Sequence, residues 1–362
     1  MCQISSKHMV FIIMSLSIVS IKTYPVIFTK FSGRDTWLSL FVASIFILLF
    51  LLYILWICTK FHCFDYKSIY EKALGKFLGR VFLLVFILTI FLTTIESASI
   101  EASAMHNQFL PEIPIWQLLL FSIPASVYIV HSGFDAVIDT VLIGIFFISL
   151  SGIVLYLLTK DYKDYSRLLP FLENGLNLNF FISVIKLIGS YGSISIIIPL
   201  FKHIRNTSQL KKYCIFGFLF VTEIQMVSMT GTIATFEIDV LNSMFFPKLV
   251  QTELIRQSNF LDAGQLFVML QIIGGWLIKL TISLYVIKII LETYKIYNTF
   301  VLYFIGILIY ISTYFASRNI FTLFKLLNIF VYIEFISFII VPIIVFTTFL
   351  IRNKKQNSQS TT

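Results

Sequence analysis

IVSIKTYPVIFTKFSGRDTWLSL, Ile18 to Leu40, is the stretch whose reading decides the fold. An apolar run begins at Met9 and looks set to cross a membrane. Lys22 and Pro25 interrupt it, and it closes on a polar turn, Ser32-Gly33-Arg34-Asp35, before a second apolar run starts at once. Inside a bilayer, irregular backbone is tolerated only where protein or a water-filled cavity satisfies its N–H and C=O groups. A broken first span is therefore a candidate site, and the rest of the chain reads as the scaffold around it. Lys7 and His8 before the apolar run resemble a signal peptide. No small-x-small cleavage site follows, and the run continues to Lys22 and Pro25, so it reads as a first span.

Composition bounds the class. Of 362 residues, 58% are hydrophobic and only 12% charged, about half the charged share of a soluble domain. This is a polytopic, integral membrane protein. The net charge of +9 invites a nucleic-acid reading, but the basic residues sit in short loops between spans, as the positive-inside rule requires, and no nucleic acid is needed to explain them. The four cysteines, Cys2, Cys58, Cys63 and Cys214, fall at or near the cytoplasmic side and are expected as free thiols. Cys58-x4-Cys63 with His62 is too small a set for a metal site. No HExxH, GxSxG or GxxxxGK[ST] motif is present, so no catalytic residues, metal or cofactor are expected.

About ten spans are expected, near 8–30, 36–58, 77–105, 115–133, 136–158, 180–201, 211–235, 262–290, 296–316 and 328–351. They form one transmembrane domain, 1–351, with a polar cytoplasmic tail, 352–362. With the N-terminus inside, the inner segments hold 15 Lys and Arg against 9 in the outer ones, which places both termini in the cytoplasm. Two outer loops, Thr159 to Asn179 and Phe236 to Leu261, are longer than a bundle needs. Such loops serve as lids or docking surfaces, or as simple connectors.

The second half echoes the first. Its opening span reads ISVIKLIGSYGSISIIIPLF, with Gly189-Ser190-Tyr191-Gly192-Ser193 mid-span and Pro199 near the end. Glycine and proline weaken helices, and serine competes for backbone hydrogen bonds. Spans 1 and 6, each the first of a set of five, are thus both interrupted, a pattern that marks a transporter-type site between repeats, here about 8–158 and 180–351. Half-helix N-termini suit a carboxylate, and freed carbonyls suit an ammonium or cation. The competing reading is a glycine-mediated packing face.

GRDTWLS (Gly33 to Ser39) after a proline-broken span closely resembles the spore germination permeases, the B subunits of Ger-type nutrient germinant receptors. FLPEIPIW (Phe109 to Trp116), LLPFLENGL (Leu168 to Leu176), FFPKLVQTELIR (Phe245 to Arg256) and IIGGWLIKLTISLY (Ile272 to Tyr285) match in register. The resemblance implies a fold related to the amino acid–polyamine–organocation transporters: all-α, five-plus-five inverted repeats, broken helices 1 and 6, LeuT-like. It implies the inner membrane of a bacterial endospore, an A-type membrane subunit and a C-type lipoprotein as partners, and sensing of a small nutrient such as an amino acid. One departure stands out. Where the family reads FLERLD, this chain has Phe260-Leu261-Asp262-Ala263-Gly264-Gln265, and the family's usual Trp in span 8 is Ile272.

Candidate ligand-binding residues are Lys22, Thr23 and Tyr24 at the first break and Gly189, Ser190, Tyr191, Gly192 and Ser193 at the second. Lys22 either meets a ligand carboxylate or snorkels to the outer interface. Tyr191 is the aromatic candidate to cover a bound side chain. Lys279 lies deep in span 8, which in the related fold packs beside span 1, where sodium-coupled members hold a cation. Its ammonium could replace that ion. Glu223 and Glu334 are candidate buried partners for Lys22, Lys279 or Lys186. Glu96 and Glu101 read as a negative vestibule wall, and Gly33, Arg34 and Asp35 as residues that fix the tight turn. Three functions remain open: a germinant-sensing subunit, a proton-coupled amino-acid permease, and a structural scaffold of the receptor complex.

Overall fold

The computed structural model describes residues 4–173, 175–255 and 263–359. Among these residues nine helices are long and apolar enough to cross a membrane. One of them, Val26–Lys60, joins the second half of span 1 to span 2, and the shorter apolar stretch His8–Thr23 supplies the first half of span 1. All ten expected spans are therefore present.

Span 1 comprises α1 (His8–Ser17), α2 (Val19–Thr23) and α3 (Val26–Ser32); a short 3-10 turn, Gly33–Asp35, leads into span 2, α4 (Thr36–Lys60). A small helix, α5 (Tyr66–Leu74), precedes span 3, α6 (Lys76–Gln108). Spans 4 and 5 are α7 (Ile115–Ser132) and α8 (Phe134–Leu158). Span 6 starts as α9 (Leu178–Tyr191) and continues as a 3-10 run over Gly192–His203. Such runs rarely exceed 3–4 residues, and a long one marks a hinge or local strain. Span 7 is α10 (Leu210–Thr235), followed by two short helices, α11 (Ile238–Ser243) and α12 (Pro247–Glu253). Spans 8 and 9 are α13 (Ala263–Thr293) and α14 (Thr299–Ser317). Span 10 is α15 (Ile320–Glu334), a π segment over Phe335–Ile340, and α16 (Val341–Gln359), which carries helix into the polar tail.

Spans 1 and 6 occupy the middle of the bundle. The apolar window of span 6 is 83% buried, against 22% for span 9 at the periphery. Around them pack spans 2, 7, 8 and 10, with span 3 against span 8. Small side chains let these helices approach closely, the usual means of association where lipid removes the hydrophobic drive.

Two sets of contacts define the ends of the bundle. On one side the 1–2 turn, the 5–6 loop and α11 meet. Arg34 donates to the Leu169 carbonyl at 2.7 Å and lies 3.9 Å from Glu173, while Asp35 accepts from the Leu172 N–H at 2.8 Å. The sequence reading has Arg34 and Asp35 cap or pair within the tight turn and fix it. Their partners instead lie on the long 5–6 loop, which they fasten over the end of span 1. Gly33 permits the turn itself, with φ +53°, a region that disfavours side chains. On the opposite side the N-terminal segment, α5 and the 6–7 connection meet. Asp65 caps α5 through the Ser68 N–H at 3.2 Å and takes the Lys202 ammonium at 3.0 Å. Burial raises the Asp65 carboxyl, but the Ser68 and Lys202 contacts outweigh it and hold the group below its usual 3.8.

Candidate functional site

Span 1 is broken twice, at Ile18 and at Tyr24-Pro25. Proline accounts for the second break, since its ring and missing N–H stop the helix arriving from α2. The first break has no glycine or proline. It is held open by side chains from elsewhere: Gln225 of span 7 donates to the Ser17 and Ile18 carbonyls at 2.7 and 2.8 Å, and Ser193 of span 6 donates to the Leu16 carbonyl at 3.1 Å. Backbone groups released by the break thus find buried partners, as a low-dielectric interior requires.

Between the two breaks, α2 presents two faces. Residues four apart share a face, whereas residues two apart do not. Ser20 and Tyr24 look toward spans 3 and 8. There the Lys279 ammonium lies 2.8 Å from Glu96 Oε2 and donates to Ser20 Oγ at 2.6 Å, and Tyr24 OH donates to Glu96 Oε1 at 2.5 Å. Both charged side chains are enclosed, at 0% and 1% exposure. The Tyr24 ring stacks on Trp276, with centroids 6.2 Å apart, and the Lys279 ammonium lies 5.2 Å from the same indole. Glu334 is buried within electrostatic range of Glu96, Lys279 and Tyr24, and neither of its carboxyl oxygens has a hydrogen-bond partner among the described residues. Ser190 Oγ and Trp276 Nε1 are likewise buried and unpartnered. Hydrogen-bonding capacity left unspent in a buried region calls for an explanation, and a polar ligand is one.

Lys22 takes the other face of α2. Its ammonium reaches Gln271 Oε1 at 3.2 Å, in a cleft that also holds Glu223. Thr23 is spent on the Val19 carbonyl at 2.7 Å. Lys186 bonds to Asn328 and sits 3.8 Å from the Phe31 ring. The ion partner of Lys279 is therefore Glu96, not Glu223. Nor do Glu96 and Glu101 line a vestibule. Both are buried, because span 3 runs on to Gln108 and places them below its end.

The glycines of span 6 serve packing. A Cβ on Gly189 would stand 2.0 Å from the Val331 carbonyl oxygen of span 10, and one on Gly192 would stand 3.2 Å from the Phe338 Cβ. Tyr191 points away from the charged cluster, taking Ser44 of span 2 at 3.3 Å and meeting Phe218 of span 7 edge-on at 5.6 Å. Tyr24, not Tyr191, is the aromatic ring against the cluster. In the departure from FLERLD, Phe260, Leu261 and Asp262 lie outside the described residues. Clefts also open elsewhere among the described residues. A polar pocket of about 300 Å³ lies between the 1–2 turn, the 5–6 loop and α11, and a cleft of about 500 Å³ lies between spans 5 and 7.

Interrupted central helices inside a ring of continuous ones define a class, an α-helical multi-pass membrane protein with a LeuT-like fold. The crystal structure of MhsT in complex with L-phenylalanine superposes with a TM-score of 0.70 at 13% identity, covering 97% of this chain and 89% of that one. The chain belongs to the spore germination protein family, whose model matches residues 3–321. It is also similar to spore germination protein XB of Bacillus anthracis, 23% identical over 279 residues, which cover 73% of this chain and 74% of the relative.

Proposed function

We propose that this chain is the membrane subunit of a nutrient germinant receptor. It sits in the inner membrane of the spore with both termini cytoplasmic, beside an A-type membrane subunit and a C-type lipoprotein. It recognises a small nutrient, an amino acid above all, at the broken helices 1 and 6. The observation that carries this reading is the buried Ser20–Tyr24–Glu96–Lys279 cluster against the interrupted part of span 1. An amino acid brings the complementary pair of charges, a carboxylate for Lys279 and an ammonium for Glu96. Exchange of the internal ion pair for two ligand contacts would favour one arrangement of spans 1 and 6 over another, and the partner subunits would read that shift. Family membership and the phenylalanine-bound fold relative support the same reading.

The test is a germination assay on spores carrying Glu96→Gln or Lys279→Met, across a panel of amino acids, sugars and salts, with both membrane subunits quantified. Loss of response to one nutrient class with the complex intact is the expected result. An unchanged dose–response in both variants refutes the site. A proton-coupled permease is the second reading, favoured by two buried carboxyl groups, Glu96 and Glu334, for one ammonium. Net accumulation of radiolabelled amino acid in proteoliposomes would establish it; saturable binding without flux would favour sensing.

A further inference from the structure

The cleft between spans 5 and 7 has a chemistry of its own and does not depend on the nutrient reading. Three ammonium groups line it, those of Lys22, Lys163 and Lys248, against one carboxylate, Glu223, which is exposed. Among the described residues no carboxylate forms an ion pair with these cations: Lys22 meets the neutral Gln271 at 3.2 Å, Lys248 the neutral Gln251 at 2.6 Å, and Lys163 lies over the Tyr156 ring at 4.4 Å. Such a concentration of like charge in a partly desolvated site costs free energy until an anion enters.

The walls below the cations are mostly apolar, with Glu223 of span 7 among them. Ile148 and Ile153 of span 5 face Phe220, Ile224 and Val227 of span 7. Ile153, Phe220 and Val227 are exposed on the flank of the bundle, where a membrane-spanning helix meets lipid, so the cleft opens sideways. Its long axis follows span 7. Phe220 is 15 residues before the end of that span at Thr235, or roughly 22 Å deeper at 1.5 Å per residue. Lys163, just past the end of span 5, and Lys248, on α12, mark the shallow end. Cations at the interface above an apolar slot is the shape of a charged head above an acyl chain. The volume of about 500 Å³ lies within the range of small-ligand sites.

We propose that this cleft binds an anionic membrane amphiphile, with Lys163 and Lys248 taking the anion and the chain lying between spans 5 and 7. Burial, with the like charges of Lys163 and Lys22, pushes the Lys248 ammonium down to about 7, and a bound anion would restore it. Lys22 also lines the cleft, within electrostatic range of Lys248, and sits on α2 between the two breaks of span 1. An occupant therefore touches the same short helix whose other face carries Ser20 and Tyr24.

The test uses the full chain in phosphatidylcholine nanodiscs. Three probes carry a diazirine on the acyl chain: phosphatidylglycerol, palmitic acid, and phosphatidylcholine as the uncharged-overall control. Crosslinks are mapped by mass spectrometry. The expected result is preferential labelling of residues 148–156 and 220–228 by one or both anionic probes, and which probe labels identifies the source. Labelling should fall about tenfold for each lysine removed in Lys163→Gln and Lys248→Gln. It should persist in Lys163→Arg/Lys248→Arg, which keeps the charges. Equal labelling by phosphatidylcholine, labelling of neither segment, or full labelling in the glutamine variants overturns the proposal. The arginine variant separates loss of charge from loss of fold.

Discussion

Replacing Lys279 by Met leaves the Glu96 carboxylate buried with two hydroxyl donors, Ser20 and Tyr24, and no counter-charge. Replacing Glu96 by Gln leaves the Lys279 ammonium with the Ser20 hydroxyl and a weaker amide contact. Breaking a buried ion pair from one side costs about 3–5 kcal/mol, whereas replacing both partners together is often close to neutral. The two residual hydroxyls put Lys279→Met at the lower end of that range. At about 2.1 cal/mol/K per residue, the 362 residues carry an unfolding entropy of roughly 0.8 kcal/mol/K. Each single variant should therefore lower the apparent melting temperature in detergent by about 4–7 °C, while Glu96→Gln/Lys279→Met should recover most of that loss. Intrinsic tryptophan fluorescence is a suitable readout, because Trp276 lies against the pair. If the double variant is as unstable as the two single losses added together, Glu96 and Lys279 are energetically independent and the cluster is not the unit described above.

Gly189→Ala sets a methyl group against the Val331 carbonyl. Overpacking of this kind costs about 1–3 kcal/mol, so melting should fall by a few degrees, and a wild-type melting temperature would refute close contact of spans 6 and 10 at Gly189. Arg34→Ala should leave melting within about 1 kcal/mol of wild type while exposing residues 163–173 to proteolysis; unchanged cleavage would refute the fastening role. Asp65 has a depressed carboxyl in the folded chain, so its contribution is full above about pH 4 and is lost as pH falls through the folded value. The protection factors of α5 amides, which divide out the intrinsic pH dependence of exchange, should accordingly fall below pH 4 in the wild type, and Asp65→Asn should show the lower protection at neutral pH; equal protection at both pH values in the wild type would refute the cap.

Much of this architecture was legible in the chain because membrane spans announce themselves by length. Pro25 and the Gly189–Pro199 stretch announce two interruptions by their backbone chemistry. The break at Ile18 has no such signal. It depends on Gln225 and Ser193, distant in sequence, and only a polar residue buried mid-span in α10 could have hinted at it. Glu96 was misread for a related reason. Its distance from the end of span 3 depends on how far that helix continues, and the apolar pattern fades before Gln108. The π segment of span 10 did have a mark, Pro342. That residue offers no N–H to the Phe338 carbonyl four positions back, and Ser195 of span 6 donates to that carbonyl at 2.5 Å.

The N-terminal segment carries a consequence of its own. Ile4 pairs with the far end of span 6 through two backbone bonds, its N–H to the His203 carbonyl at 2.8 Å and its carbonyl from the Arg205 N–H at 3.0 Å. The start of one interrupted helix is thereby stitched to the finish of the other. For one half to swing outward alone, these two bonds must break; while they hold, a tug on span 6 drags the foot of span 1, and the reverse. The pair works as a yoke, and a force applied at the first few residues would reach the middle of the molecule through two helices at once.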